Sequence, residues 1–191
     1  MKKRILVVVD MQHDFINGTL GSKDAESIVP AVVEKIKSYN EKHNVVYYTL
    51  DSHFDSYENT LEGQKLPVRH CIYGTEGYEL DERIEKALSD LNIIATPINK
   101  ITFGSQNLPR LISEEIIFSK NKYPTEPITY EIELCGLCTD ICVVSNALLL
   151  RANFPNIKIT VDAKCCAGVT LEKHKAALEV MKSCQIDIIN E

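Results

Sequence analysis

Hydrophobic and polar residues follow one another along this chain in blocks that predict strands and helices in turn. Residues 5–9 form an uninterrupted apolar run, which is typical of a parallel strand covered on both faces. From about residue 26 to residue 43 apolar side chains recur at helical spacing, and residues 44–50 predict a second strand. A polar stretch from residue 51 to about 78 follows, and loops of this length in a compact domain are usually functional or disordered.

The second half of the chain continues this alternation. Short helices are predicted over about 81–88 and 108–113, with a strand between them at about 92–98. The pattern then predicts a strand at 128–134, a helix over 143–150, a strand at 157–161, a helix over 171–183 and a last strand at 186–189. Such alternation favours an α/β fold with an open, mostly parallel β-sheet and helices on both faces. No Pro/Gly/Ser-rich linker divides the sequence, so we expect one domain over residues 1–191.

Composition narrows the classes of function. The content of 45% hydrophobic and 25% charged residues is ordinary for a globular protein. A net charge of −6 without a dense Lys/Arg patch argues against a nucleic-acid-binding protein. The locally basic segment Lys2–Arg4 precedes an apolar run that is too short for a signal peptide or a membrane span. We therefore expect a cytoplasmic protein with no nucleic-acid or membrane partner.

Three of the seven cysteines fall in one short segment, Cys135-Gly-Leu-Cys-Thr-Asp-Ile-Cys142. An odd number of cysteines cannot all pair within the chain, and in a reducing compartment most are buried as small hydrophobic side chains. Thr139 is a candidate N-cap for the helix over 143–150, which would place Cys142 in the first helical turn. Because the helix dipole favours a negative charge there, the spacing predicts that the Cys142 thiol ionises readily and acts as a nucleophile.

Reactive side chains also follow the other predicted strands. Asp10 ends the first strand and Asp51 the second, and Lys100 closely follows the third. Because open parallel sheets bind ligands at the carboxyl ends of their strands, we expect these side chains to share one site with Cys142. A thiolate needs a base that accepts its proton and a cation that balances its charge, and Asp10 and Lys100 fit those roles. Taken singly, Asp10 could be a turn residue and Lys100 a solvated lysine, so the hypothesis depends on their convergence.

The long polar stretch carries a candidate metal site. It begins with Asp51-Ser-His53, and His70 lies downstream. Two imidazoles and a carboxylate suit zinc, iron or manganese and leave positions open for water or substrate. Glu62 is a further candidate ligand, with Glu58, Asp55 or solvent as alternatives.

Five segments, in this order, resemble the isochorismatase-like cysteine hydrolases, in particular their nicotinamidase branch. They are Val9-Asp10-Met-Gln-His-Asp-Phe15, Asp51-Ser-His53, His70-Cys-Ile-Tyr-Gly-Thr-Glu-Gly77, Lys100-Ile-Thr-Phe-Gly-Ser105 and Gly136-Leu-Cys-Thr-Asp-Ile-Cys142. Each segment alone is a weak signal, but all five in order are specific and span nearly the whole chain. The resemblance implies a Rossmann-like, three-layer hydrolase fold.

The resemblance also implies roles for particular residues. It implies a catalytic triad of Asp10, Lys100 and Cys142, and one divalent metal ion, zinc first among the candidates, held by Asp51, His53 and His70, with Glu62 near the place of a fourth ligand. It implies an oxyanion hole formed by the backbone amides of Cys138 and Cys142, after a non-proline cis peptide between Leu137 and Cys138. Phe15 would line one side of the substrate pocket. Because the family usually self-associates, we expect a homo-oligomer.

The activity implied is hydrolysis of a small-molecule amide, with nicotinamide converted to nicotinic acid and ammonia through a thioester on Cys142. Two departures from the nicotinamidase pattern concern the substrate. Leu66-Pro-Val-Arg69 has no aromatic residue where nicotinamidases commonly carry one, and Cys138 stands where a small residue such as Ala is common. A related hydrolase of another small amide or an N-carbamoyl compound therefore stays open.

Two further interpretations belong to other classes of function. Isochorismatase proper cleaves a vinyl ether, and that activity would leave the metal motif unexplained. A non-catalytic thiol module could instead hold zinc or sense redox state through Cys135, Cys138 and Cys142. No distal Cys or His pair at finger spacing supports that zinc cluster.

Overall fold

All 191 residues of the chain are described by the computed structural model. Six parallel strands form one open sheet in the order β3-β2-β1-β4-β5-β6. The strands are β1 (Lys2–Val9), β2 (Val45–Asp51), β3 (Ala95–Lys100), β4 (Thr129–Leu137), β5 (Lys158–Ala167) and β6 (Asp187–Ile189). The apolar run of residues 5–9 lies fully buried in β1, near the centre of the sheet. This agrees with the sequence pattern, since a central parallel strand is covered on both faces.

Seven α-helices connect and cover the strands. They are α1 (His13–Ile16), α2 (Lys23–Lys37), α3 (Leu61–Lys65), α4 (Glu82–Ser89), α5 (Leu108–Lys122), α6 (Val144–Asn153) and α7 (Leu171–Ser183). Helix α2 packs against β4, β5 and α4, whereas α6 packs against β5, α5 and α7. Both α2 and α6 contact β5, but α2 packs beside α4, whereas α6 packs beside α5 and α7. The two helices therefore cover opposite faces of the sheet. The predicted α/β architecture is confirmed. No helix has the length and apolar character needed to cross a membrane.

The direction of the crossovers reverses between β1 and β4. β1 pairs with β2 on one side and with β4 on the other, and the chain runs outward from this pair in both directions. A crevice forms at such a switch point, at the carboxyl ends of the strands. Gly136 lies opposite Val9 with φ of 118°, and a Cβ at Gly136 would overlap the Val9 carbonyl oxygen. Glycine therefore permits the close approach of the two strands beneath the crevice.

Two helices differ from the sequence prediction in their bounds. Helix α2 begins after Ser22, whose hydroxyl accepts a hydrogen bond from the Ala25 amide, and it ends at Lys37 rather than near residue 43. Beyond Lys37 the backbone hydrogen bonds shorten to three-residue spacing, with the Tyr39 amide donating to the Ile36 carbonyl and the Asn40 amide to the Lys37 carbonyl, so the chain turns out of the α-helix. Helix α5 extends to Lys122 instead of ending near residue 113.

The polar stretch after β2 is more ordered than a loop. It contains the 3₁₀ turns Tyr57–Asn59 and Glu76–Tyr78 as well as α3. Tyr57, His70 and Cys71 are buried within it, and the His53 backbone pairs with that of Ile72. This stretch forms the wall of the crevice on the β2 side.

Candidate active site

Three reactive side chains meet at the switch point. The Lys100 ammonium lies 2.7 Å from Asp10 Oδ2 and 3.5 Å from Cys142 Sγ. Asp10 follows β1, Lys100 ends β3 and Cys142 follows β4, and all three side chains are buried. The structure thus brings together the triad that the sequence predicts.

Thr49 holds the Asp10 carboxylate in place. The Thr49 hydroxyl donates to Asp10 Oδ1 at 2.6 Å, and the Asp10 amide donates to the Thr49 carbonyl at 3.2 Å. Asp10 adopts a left-handed conformation with φ of 48°, which Asp tolerates better than most residues. One carboxylate oxygen is therefore fixed by Thr49, and the other faces Lys100.

The segment that carries Cys142 is a π-helical turn over Thr139–Val143, not the first turn of an α-helix. The prediction that Thr139 is the N-cap is wrong. Its hydroxyl lies 2.8 Å from His174 Nδ1 on α7, and no side chain caps the turn. The peptide between Leu137 and Cys138 is cis, as the family resemblance implies. The Asn146 side chain donates to the Cys142 carbonyl at 2.8 Å and secures the other end of the turn.

The charge state of Cys142 also differs from the expectation. Burial raises the pKa of the Cys142 thiol well above its ordinary value, and the negative charge of Asp10 raises it further. Burial likewise raises the pKa of Asp10, although Lys100 opposes that shift. Burial lowers the pKa of the Lys100 ammonium, but attraction to the Asp10 carboxylate outweighs that effect, so the pKa lies well above its usual value. The Cys142 thiol is therefore neutral in the resting site, and the Lys100 ammonium contacts both its sulfur and the Asp10 carboxyl group.

A second cluster lies next to the triad. Ligand atoms of Asp51, His53, Glu62 and His70 all lie within 4.8 Å of one another. His53 Nε2 lies 3.0 Å from Asp51 Oδ2, and both imidazoles place Nε2 at 3.6 Å from Glu62 Oε1. Lys100 also contacts Asp51 Oδ1 at 3.2 Å, so the two clusters adjoin.

The chemistry of this cluster fits a divalent cation. Its donors are two imidazole nitrogens and two carboxylates, a set that zinc, iron and manganese accept. His70 Nδ1 lies 2.8 Å from the Val68 carbonyl, so it carries the proton there and leaves Nε2 free as a ligand. Burial disfavours the imidazolium, yet the Asp51 and Glu62 carboxylates raise the pKa of His70 to about 10. A bound cation would take the place of that proton.

One cavity of about 450 Å³ is lined by members of both clusters. Cys142, Cys138, Asp51, Glu62 and His70 line it, together with an apolar surface that includes Phe15, Leu66, Phe103, Leu137, Ile141 and Val169. The Phe15 ring lies 5.6 Å from the His70 ring, centroid to centroid. The cavity is large enough for a small aromatic or aliphatic molecule.

The sequence profile of the isochorismatase domain matches residues 4–190. The chain belongs to this family.

Relatives of this isochorismatase-family chain include proteins with named activities. It is 22% identical over 190 residues to the nicotinamidase/pyrazinamidase of Mycobacterium tuberculosis, covering 97% of this chain and 98% of the relative. The crystal structure of nicotinamidase/pyrazinamidase PncA from Bacillus subtilis superposes with a TM-score of 0.82 at 25% identity, covering 98% of this chain and all of the other. The pyrazinamidase of Pyrococcus horikoshii, solved in complex with zinc, gives a TM-score of 0.78 at 24% identity, covering 98% of this chain and 99% of the other.

The remaining candidates of the sequence analysis do not enter the cluster. Asp55 and Glu58 pair with Arg69 at the surface, at 2.8 and 2.7 Å, so Glu62 is the carboxylate that reaches the two histidines. Cys135, Cys138 and Cys142 do not converge into a metal-ligating group. All seven cysteines are free thiols, and Cys135, Cys165 and Cys166 are buried in the core beneath the site.

Sequence reasoning missed several residues that shape the site. Gln12 holds Asp51 from both sides: its side-chain oxygen accepts from the Asp51 amide at 2.7 Å, and its nitrogen donates to the Asp51 carbonyl at 2.9 Å. Phe103 supplies an aromatic ring to the cavity from the segment after β3. Thr49 and Asn146 fix Asp10 and the nucleophile turn. Each is a single polar or aromatic residue without a spacing signal, although Gln12 and Phe103 fall inside the motifs that carry the family resemblance.

Proposed function

We propose that this chain is a metal-containing cysteine amidohydrolase that converts nicotinamide and water to nicotinic acid and ammonia. The observation that carries the proposal is the contact of Lys100 with both Asp10 and Cys142, next to a cavity lined by Cys142 and by three of the four proposed metal ligands. A nucleophile, a base and a cation at these distances suit acyl transfer from an amide. The likeness to nicotinamidases supports nicotinamide as the substrate.

Catalysis begins with transfer of the thiol proton from Cys142 to Asp10. The raised pKa of Asp10 makes it a stronger base than an exposed carboxylate, and Lys100 stabilises the thiolate as it forms. The sulfur then attacks the carboxamide carbon, and the carbonyl oxygen becomes an oxyanion. Asp10 returns the proton to the departing nitrogen, so that ammonia leaves and a thioester remains on Cys142.

The backbone amides of Cys138 and Cys142 are the proposed donors to the oxyanion. The Cys138 amide makes no hydrogen bond to another backbone group, which leaves it free to donate. Preorganised donors of this kind contribute about 3–4 kcal/mol each in measured cases. Water then attacks the thioester while Asp10 accepts its proton, the acid is released, and the proton returns to the Cys142 sulfur.

Asp51, His53 and His70, with Glu62, are the proposed ligands of the metal ion. Zinc is the best candidate because its preferred ligands are present and because the pyrazinamidase of Pyrococcus horikoshii was solved with zinc. Bound at this position, the cation would act as a Lewis acid toward a ring nitrogen of the substrate. Phe15 and Phe103 would then enclose the ring, and Phe103 would provide the aromatic surface that Leu66–Arg69 lacks.

An assay of ammonia release tests the proposal directly. The parent protein and a Cys142→Ala variant are incubated with nicotinamide, with pyrazinamide and with an N-carbamoyl amino acid. We expect the parent to release ammonia from nicotinamide. The rate in the variant should be at least about 10⁴-fold lower, as in other enzymes that lose a covalent nucleophile. Ammonia release at the parental rate by Cys142→Ala would exclude Cys142 as the nucleophile. Faster release from the N-carbamoyl compound than from nicotinamide would show that the substrate is an N-carbamoyl compound.

A further inference from the structure

The proposed metal ligands separate two cavities. The first is the substrate cavity described above. The second, of about 510 Å³, lies on the other side of the cluster and is lined by Ser52, His53, Tyr57, Leu61, Glu62 and Ile101, among others. Glu62 and Phe103 line both cavities and form the wall between them. The cluster therefore faces solvent-accessible space in two directions.

Glu62 is the most accessible and least restrained of the four proposed ligands. Its side chain is 21% exposed, against 2% to 6% for the side chains of Asp51, His53 and His70. It sits on α3, a five-residue helix that packs mainly against the Tyr57–Asn59 turn rather than against the sheet. Asp51, in contrast, is held by Gln12 and Lys100. If one ligand withdraws, Glu62 can do so with the smallest loss of packing.

We infer that the second cavity is the route by which the metal ion enters and leaves, with Glu62 as the ligand that opens. The inference rests on the metal site of the proposed function. The cluster lies in the wall of the substrate cavity, so a metal ion that exchanged through that side would compete with the bound substrate for the same passage. The second cavity reaches His53 and Glu62 without passing Cys142, Phe15 or Leu137. Exchange of metal and turnover of substrate would then use separate openings.

The test narrows each cavity separately by replacing an exposed apolar residue in its wall with tryptophan. Ile101 and Leu61 are 67% and 68% exposed and line only the second of the two cavities. Val169 is 51% exposed and lines only the substrate cavity. Ile101→Trp, Leu61→Trp and Val169→Trp are loaded with zinc, and release of zinc is timed in an excess of a chromogenic zinc chelator. The KM for nicotinamide is measured on the same preparations.

We expect Ile101→Trp and Leu61→Trp to slow zinc release about tenfold, which corresponds to about 1.4 kcal/mol of added barrier. Their KM should match that of the parent. Val169→Trp should raise KM and leave the zinc release rate unchanged. Ile101→Ala and Leu61→Ala should accelerate release, since they widen the same opening. Opposite effects of larger and smaller side chains are not expected from a general loss of stability.

The route would lie through the substrate cavity if zinc release were slower in Val169→Trp and parental in Ile101→Trp and Leu61→Trp. That result would overturn the inferred route but not the proposed function. Equal release rates in all variants would also overturn it. A parent protein that binds no zinc would overturn the metal site of the proposed function together with the route. The zinc content of the parent, measured first, distinguishes these failures.

Discussion

The protonation state of Cys142 depends on two opposing effects at one residue. A helix N-terminus typically stabilises a negative charge by about 0.3–1 kcal/mol, less than one pKa unit. Full burial shifts a pKa by about 3–5 units in the direction of the neutral form. Cys142 is buried, faces the carboxylate of Asp10 and lies in a π-helical turn, so burial exceeds any effect of the helix end. In the proposed mechanism the thiol is therefore activated by transfer of its proton to Asp10, not by standing ionisation.

This mechanism makes the orientation of Asp10 critical, and Thr49 controls that orientation. Thr49→Val removes the hydroxyl that donates to Asp10 Oδ1 and leaves that buried oxygen without its partner. We expect kcat to fall about tenfold, since an unsatisfied buried acceptor costs about 1–3 kcal/mol. KM should be unchanged because Thr49 does not line the cavity. Thr49→Ser keeps the hydroxyl and is the control. A Thr49→Val variant with parental kcat would show that Asp10 needs no such support.

At the scale of elements, helix α7 holds the nucleophile turn. Thr139 contacts His174, and the Asp140 carboxylate accepts a hydrogen bond from the Val169 amide at 2.9 Å. Burial lowers the pKa of His174, although the negative charges of Asp140, Glu191 and Asp24 oppose that shift and Lys175 assists it. The folded chain therefore favours the neutral imidazole, which the contact with Thr139 accommodates.

A lowered pKa of His174 predicts a dependence of stability on pH. Below its ordinary pKa of about 6.5 the unfolded chain binds the His174 proton more readily than the folded chain, so stability falls as the pH falls. His174→Gln removes this proton linkage. We expect the free energy of unfolding, measured with urea between about pH 7.5 and pH 5, to decrease less in His174→Gln than in the parent. An equal or steeper decrease in the variant would contradict the assignment.

Gly136 is the point at which two elements approach most closely. Gly136→Ala places a methyl group against the Val9 carbonyl in a backbone conformation that disfavours side chains. We expect a loss of about 3 kcal/mol or more in the free energy of unfolding, because steric overlap adds to conformational strain. Gly74→Ala is the matched control: Gly74 also has a positive φ, of 81°, but nothing lies within 4 Å of its Cβ position. The free energy of unfolding of Gly74→Ala should fall by only about 1 kcal/mol, the cost of the backbone strain. Equal losses would show that the approach of β4 to β1 is not tight.

At the scale of the whole molecule, the sequence predicts those features of the fold and the site that follow from hydrophobic periodicity and sheet topology. The apolar run in β1 and the order of strands and helices identify a parallel sheet, and parallel strands bring their carboxyl ends to one edge. This is why Asp10, Lys100 and Asp51 could be assigned to one site before their distances were known. Contacts made by single polar residues from distant segments carry no such pattern. The roles of Thr49 and Asn146 cannot be predicted from the sequence for that reason, and the apolar spacing beyond Lys37 does not reveal that the backbone there turns through three-residue hydrogen bonds.

The metal-ligand cluster joins β2 to the long segment that follows it, so metal binding should stabilise the whole fold. Asp51 and His53 lie at the end of β2, while Glu62 and His70 lie up to 19 residues beyond Asp51 along the chain. A ligand that binds only the folded state adds about 2.7 kcal/mol at a free concentration one hundred times its Kd. For a chain of this size we expect zinc to raise Tm by about 5–10 °C. His70→Ala should abolish most of this increase, because it removes a buried imidazole donor.

His43→Ala is the matched control for that experiment, since His43 is exposed, packs against Tyr123 and precedes the end of β2 opposite to the end that carries Asp51. Its zinc-dependent rise in Tm should equal that of the parent. Differential scanning calorimetry with and without zinc, and with EDTA, measures all three proteins. An equal rise in the parent and in His70→Ala would place zinc outside the cluster, because a metal ion held by His70 cannot stabilise the fold by the same amount after that imidazole is lost.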